Sequence, residues 1–161
     1  MTGRNRVPAT VWRDPWQFLA FGCGSGAMPF APGTFGTLPG VLLYWWLQDL
    51  NLSWYLLVVA LLFGFGVWLC QRVSQQLGVH DHSGIVWDEI VGYLVTMTLA
   101  PPGIGWMIGG FVLFRVFDIT KPWPIHAIDR QVMGGLGIML DDVVAAVLAA
   151  VCLQALTLFI G

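Results

Sequence analysis

LSWYLLVVALLFGFGVWLC, residues 52–70, is the stretch that decides the fold. It runs for 19 residues without a charge. At 1.5 Å of rise per residue a helix of that length covers about 28 Å, close to the hydrocarbon thickness of a bilayer. Upstream lies a second apolar segment, Leu38 to Leu47, joined to it by the turn Gln48-Asp49-Leu50-Asn51. Downstream, Ile90 to Ala100 is apolar, Pro101-Pro102-Gly103 breaks it, and Ile104 to Phe117 is apolar again. Val143 to Ile160 closes the pattern as a last apolar helix. No period-2 alternation and no internal repeat is visible. Backbone polar groups in lipid must be satisfied within the chain, which favours helices over open strands.

The composition agrees. Of 161 residues, 57% are hydrophobic and only 10% charged, with a mean hydropathy of +0.75. An average soluble domain carries about 25% charged residues, so so few charges leave a soluble surface uncovered. A net charge of −2 gives no ground for a nucleic-acid partner. Cys23, Cys70 and Cys152 are odd in number and far apart, with neither disulfide framework nor zinc spacing. The expectation is an all-α, multihelical integral membrane protein, built of helical hairpins plus a C-terminal helix. Residues 1–161 form one domain, of which 1–20 are an N-terminal tail and short helix.

Between the apolar segments, two kinds of connection alternate. The turns at 48–51 and 101–103 are short and chemically poor. The segments at 21–37, 71–89 and 118–142 are long and rich. Two hairpins and a last helix put the three rich segments on one membrane face. Arg4, Arg6, Arg13, Arg72, Lys121 and Arg130 fall on that same face, which the positive-inside rule makes cytoplasmic. Leu38–Leu47 and Ile90–Ala100 are too short to cross unaided. Residues 21–40, crowded with Gly, Pro, Ser and Thr, read as a loop.

Seven of the nine acidic residues lie between Asp81 and Asp142. Asp88-Glu89 opens the Ile90 helix, Asp118 ends the run LFRVFD, and Asp141-Asp142 opens the last helix. Helix capping is the plain account of Asp88 and Asp141. Doubled acids at membrane depth are costly and usually functional. The alternative is an oxygen cage for a divalent cation, with Mg²⁺ favoured, from Asp88, Glu89, Asp118, Asp141 and Asp142. Arg115, Lys121 and Arg130 are candidates for holding phosphoryl oxygens, with a salt bridge or a snorkelling Arg115 as the simpler reading. Ser25, Thr34 and Thr37 either donate to phosphate or cap helices. His80 and Asp81 stand together as a possible proton-transfer pair; His82 and His126 are read as inert. Gly134-Gly135-Leu136-Gly137 has the look of a loop that lets backbone approach an anion, and Gly24-Ser25-Gly26 and Pro32-Gly33-Thr34 are similar, with hydroxyls added. Trp45, Trp46 and Trp87 are candidates for the interface.

Four stretches, GSGAMPFAPGTFGT (24–37), HDHSGIVWDEIVG (80–92), FRVFDITKPWPI (114–125) and DRQVMGGLGIMLDD (129–142), closely resemble the phosphatidylglycerophosphatase A family, in the family's order. The resemblance implies a multihelical, Mg²⁺-requiring enzyme of the bacterial inner membrane. Its substrate would be the lipid phosphatidylglycerophosphate, cleaved to phosphatidylglycerol and phosphate on the cytoplasmic side. The expected mechanism is direct hydrolysis at a Mg²⁺ held among the five acids, with Asp88 catalytic and His80 or Asp81 moving the proton. An aspartyl-phosphate intermediate is the second route. A CDP-alcohol phosphotransferase is the enzyme rival, but its D-G and A-R pattern is missing. A small ion-coupled transporter is the rival of another class, and a scaffold without activity leaves the doubled acids unexplained.

Overall fold

The computed structural model describes residues 7–79, 82–123, 125 and 131–160. Among the described residues every regular element is a helix. After a 3₁₀ turn at Ala9–Trp12 come α1 (Pro15–Ala20), a second 3₁₀ turn (Gly22–Ala27), α2 (Pro32–Leu47) and α3 (Leu52–Leu77). Then follow α4 (Trp87–Thr96), α5 (Ile104–Thr120) and α6 (Gly134–Ile160).

The ends of the long helices have local causes. The Asn51 side chain accepts the Trp54 N–H and starts α3. Gly78, at φ 64°, ends it by turning its N–H back to Ser74 and Gln75. Pro32 stands in the first turn of α2, where its missing N–H costs nothing.

Helix directions follow from who meets whom. Gly36 and Gly40 of α2 lie against Val86 and Ile90 beside or on α4, so these two run parallel. Thr96 of α4 reaches the Ala146 carbonyl, and Gly92 lies against Asp142, so α4 and α6 are parallel as well. Gly66 of α3 meets Met139, and Gln71 meets Gly135, which makes α3 antiparallel to α6. Lys121 bonds Asp141 while Gly109 lies near Leu153, so α5 is antiparallel too. Hence α2, α4 and α6 start at one end of the bundle, where α3 and α5 finish. The described parts of the three chemically rich connections gather at that end, in line with the sequence pattern.

Two helices, Leu52–Leu77 and Gly134–Phe159, are long and apolar enough to cross a membrane. In α3 the apolar residues point outward: Leu56, Leu57, Leu61 and Trp68 are all exposed. A water-soluble protein does not display such a face, whereas lipid solvates it. This is a membrane protein. The 10-residue α4, about 15 Å long, does not cross by itself; it is buried along nearly its whole length among α2, α3, α5 and α6.

Three boundaries differ from the sequence reading. Residues 32–40 are helix rather than loop, because Gly33, Gly36 and Gly40 form the buried face of α2. α3 continues seven residues beyond Cys70, to Leu77. α6 begins at Gly134 rather than Val143, so Asp141 and Asp142 sit two turns inside it. Helix capping therefore does not explain Asp141. Gly135 serves close packing rather than anion binding: a Cβ there would lie 2.0 Å from the Val67 carbonyl oxygen. Trp45 and Trp46 are exposed at the bundle end opposite the acids. Trp87 packs inward and donates its ring N–H to the Leu62 carbonyl at 3.2 Å.

Candidate active site

The acids meet at one end of the bundle because three helices deliver them from different directions. Asp88 and Glu89 lie in the first turn of α4. Asp118 lies in the last turn of α5, and Asp141 and Asp142 project from α6. One carboxylate oxygen each from Asp88, Glu89 and Asp142 falls within 4.8 Å of the others. All three residues are buried, Asp142 to 3% exposure.

Cations close the other side. Arg115 bonds Asp118 one turn along α5 and stands 3.5 Å from Glu89 Oε1. Lys121 ends α5 in a left-handed conformation, φ 40°, and its Nζ reaches Asp141 at 2.5 Å. A non-glycine residue held there is strained, and the turn is what carries the ammonium across to α6.

These groups line a cavity of about 390 Å³, with the start of α2 (Ala31 to Thr34), Ser83, Ile85 and Ile119. Five carboxylates and two cations face it. Burial pushes the Glu89 carboxyl well above its usual range; Asp142 and Asp118 add repulsion, and Arg115 pulls the other way. Glu89 Oε2 and Asp142 Oδ2 are buried yet accept no hydrogen bond. Leaving such oxygens unsatisfied is expensive. Three convergent buried carboxylates, two of them with an oxygen that accepts no hydrogen bond, are the donor set a hard divalent cation takes, so the residues fit one.

The structure thus brings together Asp88, Glu89, Asp118, Asp141, Asp142, Arg115, Lys121 and Thr34. It leaves out Ser25 and Thr37. Ser25 donates to the Gly22 carbonyl at 2.9 Å, and fully buried Thr37 donates to the Gly33 carbonyl at 2.7 Å. Neither lines the cavity. His80, Asp81, His126 and Arg130 lie outside the described residues. His82 is buried, and its Nδ1 accepts the Gly84 N–H at 3.0 Å, which suits a turn-forming role.

Gly33, grouped in the sequence with Pro32 and Thr34 as a loop for anion approach, takes part as helix backbone instead. A Cβ there would come within 2.4 Å of Glu89 Oε1 and 2.6 Å of an Arg115 guanidinium nitrogen. The backbone of α2 is itself a wall of the site. Pro32 at a helix start was the available signal.

A membrane-embedded helical bundle with buried acids, paired cations and a cavity at one end has the layout of an enzyme acting on lipid phosphates. The comparisons with known proteins narrow this class. The family model for phosphatidylglycerophosphatase A matches residues 18–157. A phosphatidylglycerophosphatase A from Escherichia coli strain K12 is 46% identical over 138 residues, covering 85% of this chain and 80% of its own. Its namesake from Haemophilus influenzae is 41% identical over 158 residues and 97% of each chain. A protein of Bacteroides thetaiotaomicron named putative phosphatidylinositol-3-phosphatase is 36% identical over 151 residues, 89% of this chain and 94% of its own. No solved structure matches. The chain belongs to the phosphatidylglycerophosphatase A family and is an enzyme, a phosphatase.

Proposed function

We propose that this enzyme hydrolyses phosphatidylglycerophosphate to phosphatidylglycerol and inorganic phosphate, in a divalent-cation-dependent reaction at the cytoplasmic side of a bacterial inner membrane. The observation that carries the reading is the convergence of buried Asp88, Glu89 and Asp142, with a Glu89 and an Asp142 oxygen lacking hydrogen bonds, beside Arg115 and Lys121.

Asp88, Glu89 and Asp142 would hold Mg²⁺, with Asp118 and Asp141 beside them. A bound Mg²⁺ supplies polarisation of a phosphoryl oxygen and a lower pKa for coordinated water. Arg115 and Lys121 are placed to take up charge on the phosphoryl oxygens. Both already touch carboxylates, Asp118 and Asp141, which hold them in place before substrate arrives. The phosphomonoester enters the polar cavity while the acyl chains stay in the bilayer. Direct attack by water is the route the crowded acids favour: a carboxylate committed to a cation is a poor nucleophile. Asp81 or His80 is assigned the proton.

The same geometry supports the proposed side of the membrane. The basic residues Arg13, Arg72 and Lys121 stand at the end that carries the acids, and basic residues mark the cytoplasmic face.

The test is phosphate release by purified protein from phosphatidylglycerophosphate, with and without Mg²⁺. Release that requires the cation supports the proposal; equal release in chelator removes the cation from it. Rapid quench with labelled phosphate separates the routes, since a phosphorylated protein adduct belongs to the aspartyl-phosphate route alone.

A further inference from the structure

A second polar cavity, about 400 Å³, opens at the same bundle end and shares no lining residue with the acidic one. It is formed where the N-terminal segment crosses α3. Thr10, Arg13 and Trp16 supply one wall and Arg72 the other. The Arg72 guanidinium stands 5.6 Å from the Trp16 ring centroid and 5.6 Å from that of Trp68. Those two rings are themselves edge to face at 4.9 Å. The cation is therefore set in place by cation–π contact and packing before any ligand arrives.

The charge of this cavity is positive in effect. Among the described residues neither Arg13 nor Arg72 forms an ion pair. Asp14, which also lines the cavity, uses Oδ1 for the Trp16 and Gln17 N–H groups and Oδ2 for the Gln76 amide at 3.2 Å. Its acceptor sites are turned to the protein. The two guanidinium groups, both exposed, face outward with planar donors suited to phosphate.

Depth selects the ligand. Twenty residues separate Leu52 from Arg72 on α3, about 30 Å of helix, which equals the hydrocarbon thickness. With Leu52 at one boundary, Arg72 lies at the other. Toward the middle of α3 Trp68 and Leu61 are exposed, and Trp12, the chain neighbour of Arg13, is 62% exposed. A phosphate bound here has apolar surface directly beneath it.

We propose that Arg13 and Arg72 form a non-catalytic site for the headgroup of an anionic phospholipid, whose acyl chains lie along the exposed face of α3. The site rests on α3 crossing the bilayer and not on the phosphatase reading, so the two fail separately.

Native mass spectrometry of the full chain in neutral detergent, titrated with phosphatidylglycerol or phosphatidylcholine, tests it. One phosphatidylglycerol is expected to be retained at least about tenfold more tightly than phosphatidylcholine. R13Q/R72Q should weaken that one lipid at least about tenfold, because each basic residue near anionic lipid is worth about fivefold. Turnover of a short-chain substrate in the same detergent should not change. R72K keeps the charge but loses the stacked plane, and should give an intermediate loss; it carries the test if the double variant does not fold. Equal retention of phosphatidylglycerol by wild type, R72K and R13Q/R72Q would overturn the proposal. So would displacement of the lipid by an equal concentration of inorganic phosphate, which would make the cavity a site for free anions.

Discussion

The two ends of the bundle are made by the same helices and obey opposite rules. At the end of the short turns, buried polar groups find partners. The Tyr55 hydroxyl donates to the Leu94 carbonyl at 2.6 Å, and Tyr93 to Met107 at 3.0 Å. The Gln154 amide reaches the Thr98 carbonyl at 3.2 Å. Tyr44, Tyr55 and Tyr93 stack edge to face around these bonds. At the other end, Glu89 and Asp142 keep buried oxygens without hydrogen bonds. The far end is built for stability. The near end concentrates like charge among its buried carboxylates, and this is how sites are separated from scaffolding in an apolar solvent.

If that contrast is right, substitutions at the two ends must have different signatures. The largest effect belongs to the carboxylates. Asp88→Ala, Asp118→Ala and Asp142→Asn should each lower phosphate release by about a thousandfold or more. In chelator, Asp142→Asn should melt no lower than wild type, because removing one of several crowded acids relieves repulsion. Mg²⁺ should raise the melting temperature of wild type but not of Asp142→Asn, by linkage. A carboxylate mutant at the near end that lost stability but kept turnover would erase the distinction between the ends.

Gly33→Ala is next. The added methyl meets Glu89 and Arg115 rather than a hydrophobic core. Displacing those groups by a fraction of an ångström to an ångström should cost about a hundredfold in kcat/KM, with little change in the thermal melt. At the opposite end the signature inverts. Tyr55→Phe leaves the Leu94 carbonyl only the longer bond from the Thr98 hydroxyl, at 3.4 Å, and should destabilise by about 1 kcal/mol in a denaturation series, while turnover per folded molecule stays at the wild-type value. The smallest effect sharpens the border of the site: Ser25→Ala should leave turnover within about twofold, since its hydroxyl serves a local turn.

Charge made part of this legible in the sequence. In a chain this apolar, each carboxylate needs an explanation, so Asp88, Glu89, Asp118, Asp141 and Asp142 stood out before any coordinates. The charge-free run at 52–70 identified α3 for the same reason. Glycine was misread twice by a rule that holds in water. Gly33, Gly36 and Gly40 looked like loop and are the face on which α2 packs; Gly134 and Gly135 looked like an anion loop and let α6 approach α3. In membrane bundles small residues bring backbones together, and spacing of three to four residues was the overlooked cue. The wall at Gly33 was half legible: Pro32-Gly33-Thr34 suggested a close backbone approach, but as a loop, and the helix that makes it a wall leaves no side-chain signature.

That wall has an enzymological consequence. Main chain locked in a helix has no rotamers, so the α2 side of the cavity cannot yield to an ill-fitting alcohol group. Adjustment to headgroup shape falls to the facing side, which Ser83 and Ile119 line with side chains. A change of lipid preference is therefore to be sought there, by varying these two positions, while position 33 stays fixed as the anvil against which they work.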